Sequence, residues 1–299
     1  MFSLIANPSA HRFSQTVIDE VKHWFELHNL NLSIHLTEGP QHATELAKKS
    51  VRAGVKTVIA MGGDGTVREV AKGLIGSESS LALLPFGTVN VLAKDIGLPE
   101  SLDELLEVCV LGTRKKIKTG LIHLRNQNQE EITEPFLLMA GFGMDAWVCR
   151  EMNPSAKKWS GQGAYFFAGI KAMRQTFPAF DIHTDNEVRV GHSLVVANSR
   201  YYAGEYTLCA EAGLLKPKFD TCLIQSDSLV HLGELMMKLA QNQHKNLGFL
   251  KFFPATEILI HKPGIPVQLD GDYIGMTPAK VESRPDSLSI CYPNPLGDA

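Results

Sequence analysis

Apolar positions in the first third of the chain alternate between two periods. FSLIA (2–6), LSIHL (32–36), VKTVIAM (55–61) and LALLP (81–85) are short apolar runs that read as strands. Between them Phe13, Val17, Val21, Trp24 and His28 recur at helical spacing, and ATELAKKSVRAG reads as a second helix closed by Gly54. Further helices are expected from Thr66 to Leu74, over 89–96 and over 101–111. Alternating strands and helices predict a parallel sheet with right-handed crossovers. The carboxyl ends of its strands then share one edge, where such folds bind ligands.

The rhythm changes near TRKKIKTG (113–120). Beyond it, strand-like runs fall at 134–141, 179–184, 187–198, 206–211, 219–225, 255–262, 266–270 and 287–292, with only QGAYFFAGIKAMRQTF and SLVHLGELMMKLAQ reading as long helices. Many strands without intervening helices predict an antiparallel sandwich or barrel. The expected division is an α/β nucleotide-binding domain over 1–120 and a β-rich substrate domain over 121–299, with a ligand cleft between them.

Composition narrows the chemistry. With 299 residues and 44% hydrophobic residues the chain can build two real cores, and a formal charge of −3 supplies no basic field for nucleic acid. The five cysteines are odd in number, widely spaced and free of C-x-x-C, which fits a reducing cytosol rather than a disulfide framework. MFSLIANPS is too short an apolar run for a signal peptide, and no later run approaches the ~18 apolar residues of a membrane span. A cytoplasmic protein with at most peripheral contact at the inner membrane face is expected. The eleven histidines show no H-E-x-x-H spacing, so a zinc enzyme is unsupported.

Three loops at strand ends share one character: NPSAH (7–11), GGDGT (62–66) and PFGTVN (85–90) offer small residues, hydroxyls or amides, and backbone N–H groups. Asn7, Pro8, Ser9, Gly62, Gly63, Asp64, Gly65, Thr66, Gly87, Thr88 and Asn90 are candidate contacts. The glycines of the second loop run into a helix N-terminus, which favours an anion, and phosphate is the natural occupant. Asp64 would repel that phosphate unless it holds a cation, orients another group or accepts a proton, which suggests Mg²⁺-nucleotide chemistry. The plainer alternative is a tight turn in which Asp64 caps the helix. Walker A spacing is absent, and GFGMDA (141–146), although it mimics a dinucleotide fingerprint, lies outside the alternating region and reads as a site of close backbone packing.

The ordered series NPSA, GGDGTVREV, LPFGTVNVLAKDIGLP, FLLMAGFGMDA and LDGD (269–272) resembles the diacylglycerol kinase catalytic-domain family, which includes bacterial lipid kinases and sphingosine kinases. The resemblance implies an NAD-kinase-like α/β domain followed by an antiparallel β-sandwich. It also implies transfer of the γ-phosphoryl of ATP, with Mg²⁺, to a lipid hydroxyl. It assigns nucleotide contacts to Asn7, Thr37, Gly62 through Arg68 and Thr88, and a catalytic base to the D-G-E motif. Here the glutamate of that motif is Asp272, with Asp270 as the second candidate, although D-G is also a common hairpin turn. An NAD kinase, which shares the glycine loop, and a lapsed nucleotide- or lipid-binding protein are the alternatives.

Four departures from the family pattern stand out. Arg68 replaces an asparagine, Val91 an acid, Lys118 an acid, and Lys216 the acid of a segment that helps hold a structural Mg²⁺. Backbone carbonyls at Gly213, Lys216 and Lys218 remain as candidate metal ligands. Alternatively the ammonium groups of Lys118 and Lys216 take over the positive charge, or both lysines are solvated. The expected partner is a lipid at a membrane surface, reached through the basic-aromatic segments 157–180 and 245–253. A homodimer is compatible with this, and no nucleic-acid partner is expected.

Overall fold

A computed structural model describes the chain except residues 127, 129, 152–176, 186, 203, 205 and 295–299. It divides into two compact units, Met1–Ile117 with Asp286–Ala299, and Lys118–Pro285. Patterning along the sequence assigns the C-terminal segment to the second domain, but the chain returns to the first unit at Asp286. The physical reason is strand pairing: Ser289 and Ile290 lie parallel to Ser80 and Leu81, and Cys291 joins the first unit's core.

In the first unit the strands β1 (Phe2–Ala6), β2 (Leu32–Leu36), β3 (Thr57–Gly62) and β4 (Ser80–Pro85) are parallel, in the order β2-β1-β3-β4. β3 is buried along its whole length, which explains its unbroken apolar run. The helices are α1 (Gln15–Leu27), α2 (His42–Arg52), α3 (Asp64–Leu74), α4 (Val91–Asp95) and α5 (Leu102–Leu111). Ser14 caps α1 by accepting from Val17 N, and Ser101 caps α5 by accepting from Glu104 N while its hydroxyl donates to the Glu104 carboxylate. Ile18, Val21 and Phe25 carry the buried stripe of α1 onto Leu4, Ile59 and Leu84 of the sheet.

The second unit is an antiparallel sandwich. One sheet runs through β7 (Met139–Phe142), β10 (Ser193–Ala197), β13 (Phe219–Ile224), β14 (Leu250–Ala255) and β16 (Pro266–Leu269). The long β17 (Asp272–Tyr292) pairs with β16 through Asp272–Met276 and then with β15 (Glu257–Ile260) through Ala279–Glu282, so it serves both sheets. β8 (Phe180–Thr184) and β9 (Val188–Gly191) extend the second sheet, and β5 (Thr113–Arg125) pairs with β6 (Glu131–Phe136). Phe136, Phe142, Leu194, Phe219, Ile258, Val267 and Val281 fill the space between the layers.

The short strands β11 (Tyr201–Tyr202) and β12 (Tyr206–Thr207) pair with one another, and α6 (Met144–Glu151) and α7 (Leu229–Ala240) complete the unit. Sequence periodicity does not foretell β5 or β14. KNLGFLKFF, expected as a basic-aromatic docking segment, instead supplies β14, and its Leu247, Leu250 and Phe253 are buried. Most of the helical stretch beginning at Gln162 and of the segment 157–180 lies outside the described residues. Among the described residues no helix is long and apolar enough to cross a membrane.

Candidate active site

The first unit brings its expected loops to one sheet edge, tied together by their own polar groups. Asn7, just past β1, donates from Nδ2 to Thr66 Oγ1 at 3.0 Å, while its Oδ1 accepts the Ser9 N–H at 2.9 Å. Thr37, just past β2, donates its N–H to Ala6 O, and Asn7 N–H goes to Met61 O. Asn90 sits at φ 55 and closes the third loop on itself, accepting from Gly87 N and donating to the carbonyls of Pro85 and Gly87. Pro8, Ser9 and Thr88 face solvent, Val67 is buried, and Arg68 is half-buried on α3.

Glycine is required here by loop-on-loop packing. A Cβ on Gly87 would lie 2.4 Å from Gly63 Cα, and one on Gly62 would lie 2.6 Å from Thr66 Oγ1. Gly65, in the first turn of α3, is different: an added Cβ would meet nothing within 4 Å.

Asp64 corrects an expectation. Its carboxylate accepts the backbone N–H groups of Val91 and Leu92 at 3.1 and 3.3 Å, so it caps α4 rather than facing the space over the glycine loop. The sequence suggested a cap on α3, but the N-cap of that helix is Gly63, with no side-chain cap hydrogen bond, and Asp64 serves α4 instead. Val91, where an acid was expected, contributes its backbone N–H to that cap and its side chain to the interior.

The second unit holds the two candidate bases on a two-residue hairpin turn. Leu269 pairs with Asp272, and Asp270 and Gly271 between them both have positive φ, at 50 and 89. Asp270 was expected as a second base, but its carboxylate is taken up by three amides, Leu137 N at 3.0, Leu138 N at 2.8 and Met139 N at 3.0 Å. A carboxylate so engaged is a clamp. Asp272 follows the turn as the first residue of β17 and is half-buried.

Around this turn lies a polar cluster that sequence reading missed. Asp145 is buried, which pushes its carboxyl above the usual carboxylate range, while hydrogen bonds from Tyr202 and Gln268 pull the other way. Its only sequence signal was the acid in GFGMDA, where the structure puts a left-handed Gly143 beside it.

The carbonyl site is likewise redrawn. Lys118 is buried, and its Nζ donates to Lys218 O at 2.5 Å while lying 4.9 Å from the Phe219 ring centre. Gly213 O accepts from Lys216 N, and the exposed Lys216 turns its Nζ to Glu211 O. Two of the three proposed metal carbonyls are therefore occupied by this chain's own donors, and the two lysines have parted, one inside and one at the surface. Among the described residues no group of three or more His, Cys, Asp or Glu side chains is placed to hold a metal.

Known families match in the same order as these features. The diacylglycerol kinase catalytic domain matches residues 1–122, and the YegS C-terminal NAD kinase beta sandwich-like domain matches residues 139–292, more than half of the chain. The chain belongs to the bacterial diacylglycerol kinase family of lipid kinases. Within that family it is 27% identical to a diacylglycerol kinase of Mycobacterium tuberculosis over 87% of this chain and 84% of that one. It is 26% identical to that of Staphylococcus saprophyticus over 98% and 95%. A crystal structure of a diacylglycerol kinase from Bacillus anthracis superimposes with a TM-score of 0.75 at 21% identity, covering 98% and 97% of the two chains. Yeast NADH kinase complexed with NADH gives 0.51 at 13%, covering 97% and 82%, which matches the expected NAD-kinase-like fold.

Proposed function

We propose that this lipid kinase family member moves the γ-phosphoryl of ATP to the hydroxyl of a diacylglycerol or a related glycerolipid or sphingoid alcohol. The observation that carries the nucleotide half is the open space over Gly65. A Cβ on Gly62 would meet Thr66 and one on Gly63 would meet Gly87, whereas one on Gly65 would meet nothing within 4 Å. Glycine in a helix costs about 1 kcal/mol against alanine, so a ligand is the natural reason to keep it. The first-turn N–H groups of α3 have no i−4 carbonyl and attract phosphate, and the Asp64 carboxylate is engaged by the Val91 and Leu92 N–H groups of α4.

Bound there, ATP would supply the phosphoryl group and Mg²⁺ would neutralise its charge, arriving with the phosphates. Asn7 and Thr66, joined by a hydrogen bond, would form the floor of the phosphate site, and Arg68, one turn along α3, would donate to a phosphate oxygen. Asp272 takes the proton of the attacking lipid hydroxyl. Because the acceptor is a lipid, the protein works at a membrane surface, on the cytoplasmic side.

The test is radiolabelled ATP with a mixed lipid extract, the product identified by mass. A labelled phospholipid that requires Mg²⁺ is expected. Nucleotide binding with no labelled lipid at any Mg²⁺ concentration would leave a binding protein, and labelled NAD would make it an NAD kinase.

A further inference from the structure

The turn that carries Asp272 is held from two sides. On one side lies the Asp270 clamp. On the other, Gln268 Oε1 accepts the Gly271 N–H at 2.8 Å, and Gln268 Nε2 donates to Asp145 Oδ2 at 2.6 Å. The second oxygen of Asp145 accepts the Tyr202 hydroxyl at 2.5 Å. Gln268 is 1% exposed, so this chain of hydrogen bonds runs through the interior.

Space has been cleared for it. A Cβ on Gly141 would stand 1.9 Å from Asp145 Oδ2 and 2.6 Å from Gln268 Nε2. Nothing larger than glycine fits there, which accounts for the first glycine of GFGMDA.

We propose that Gln268, oriented by Asp145 and Tyr202, is a positioning residue that fixes the Gly271 peptide and so aims Asp272 at the acceptor hydroxyl. A glutamine amide has one accepting and one donating end, and a buried one can be satisfied in either orientation unless a neighbour decides. With its other oxygen accepting from Tyr202, Asp145 takes the NH₂ through Oδ2 and leaves Oε1 for Gly271. Turned over, Gln268 would set an NH₂ against the Gly271 N–H, and the turn would shift. Displacing a reacting group by about 1 Å lowers a rate by roughly 10²-fold.

This inference rests on the proposed kinase reaction, and polarity reversal tests it. Gln268→Glu keeps the acceptor for Gly271 but sets two carboxylates together. The double variant D145N/Q268E restores the chain in reverse: the introduced asparagine donates its NH₂ to the introduced carboxylate, and Tyr202 donates to the asparagine's amide oxygen. Expected are a kcat about 30- to 100-fold lower in Q268E with KM for ATP within about twofold, and a double variant returning to within about threefold of the native kcat. A Q268E enzyme with native kcat, or a double variant no faster than Q268E, would overturn the proposal.

If Q268E does not fold, Gln268→Met takes its place as the single variant. Hydrogen exchange at the Gly271 amide separates this inference from the reaction on which it rests. Protection should fall in the single variant and recover in the double, even if no lipid is phosphorylated. Unchanged exchange in the single variant would overturn the positioning role by itself.

Discussion

The glycine loop of the first unit resembles in sequence the Asp-Gly turn of the second unit, since each sets an acid between or beside glycines after a buried strand. The structure uses them differently. In both, the acid beside the glycines is taken up by backbone amides: Asp64 by Val91 and Leu92, Asp270 by Leu137, Leu138 and Met139. Two residues beyond Asp64 stands Thr66 rather than a second acid, and Gly65 leaves open space over a helix N-terminus. Beyond the turn stands Asp272, with a buried chain of polar side chains behind it. The first region opens onto space and the second is backed by buried polar groups, and proximity of an acid to glycine does not mark it as reactive.

The largest effect separates the two carboxylates of the turn. Asp272→Asn should lower phosphoryl transfer by about 10²- to 10⁴-fold while leaving ATP affinity within about twofold, measured by turnover and equilibrium binding. Native turnover would remove Asp272 as the base. Asp270→Ala should act on stability, because three N–H groups lose their acceptor. A loss of roughly 2–4 kcal/mol in denaturant unfolding is expected, and a loss under about 0.5 kcal/mol would show that the clamp is idle.

That contrast marks where sequence reading reached and where it stopped. Periodicity located the parallel unit because its strands are fully buried and its helices amphipathic, as with β3 and the Ile18, Val21 and Phe25 stripe. It missed β5 because TRKKIKTG carries its charges on a strand whose exposed and half-buried positions dominate before Ile117. It missed the return of Asp286 onward, since pairing between residues some 200 positions apart leaves no local trace. In the site, the loops were legible because glycine, asparagine and proline have few other uses in such a pattern. The partners of the carboxylates were not. Asp64 and Asp270 bond to N–H groups, which almost every residue type possesses, and Tyr202 and Gln268 meet Asp145 only through tertiary structure.

Two alanines sharpen the difference within the glycine loop. At Gly87 a methyl group would press on Gly63 Cα at 2.4 Å, so Gly87→Ala should destabilise the protein by roughly 1–3 kcal/mol. At Gly65 a methyl meets only open space, and Gly65→Ala should hold or raise stability by up to about 1 kcal/mol. Yet its affinity for ATP should fall about tenfold or more, since the methyl would stand where the phosphates lie. Thermal unfolding and nucleotide titration on the same pair of variants decide it. If Gly65→Ala binds ATP as the native protein does, the space over α3 is not the phosphate site.

The smallest expected effect extends the comparison to a charge of opposite sign. Asp64 and Asp270 face N–H groups from partly exposed positions, whereas Lys118 faces a carbonyl from a buried one. Burial, reinforced by Lys216 and opposed by Asp220, brings its ammonium down to about 8. The folded pKa lies below the unfolded one, so between pH about 8 and 10.5 the unfolded chain binds more protons. Stability therefore gains from this group as pH rises through that window, and below it the penalty for burying the charge is fully present. Lys118→Met should remove that contribution. Plotted against pH from about 7.5 to 10, the unfolding free energy of the native protein minus that of the variant should rise. A flat difference would mean that Lys118 titrates alike in both states, and that the Lys218 carbonyl and the Phe219 ring together replace the water it has lost.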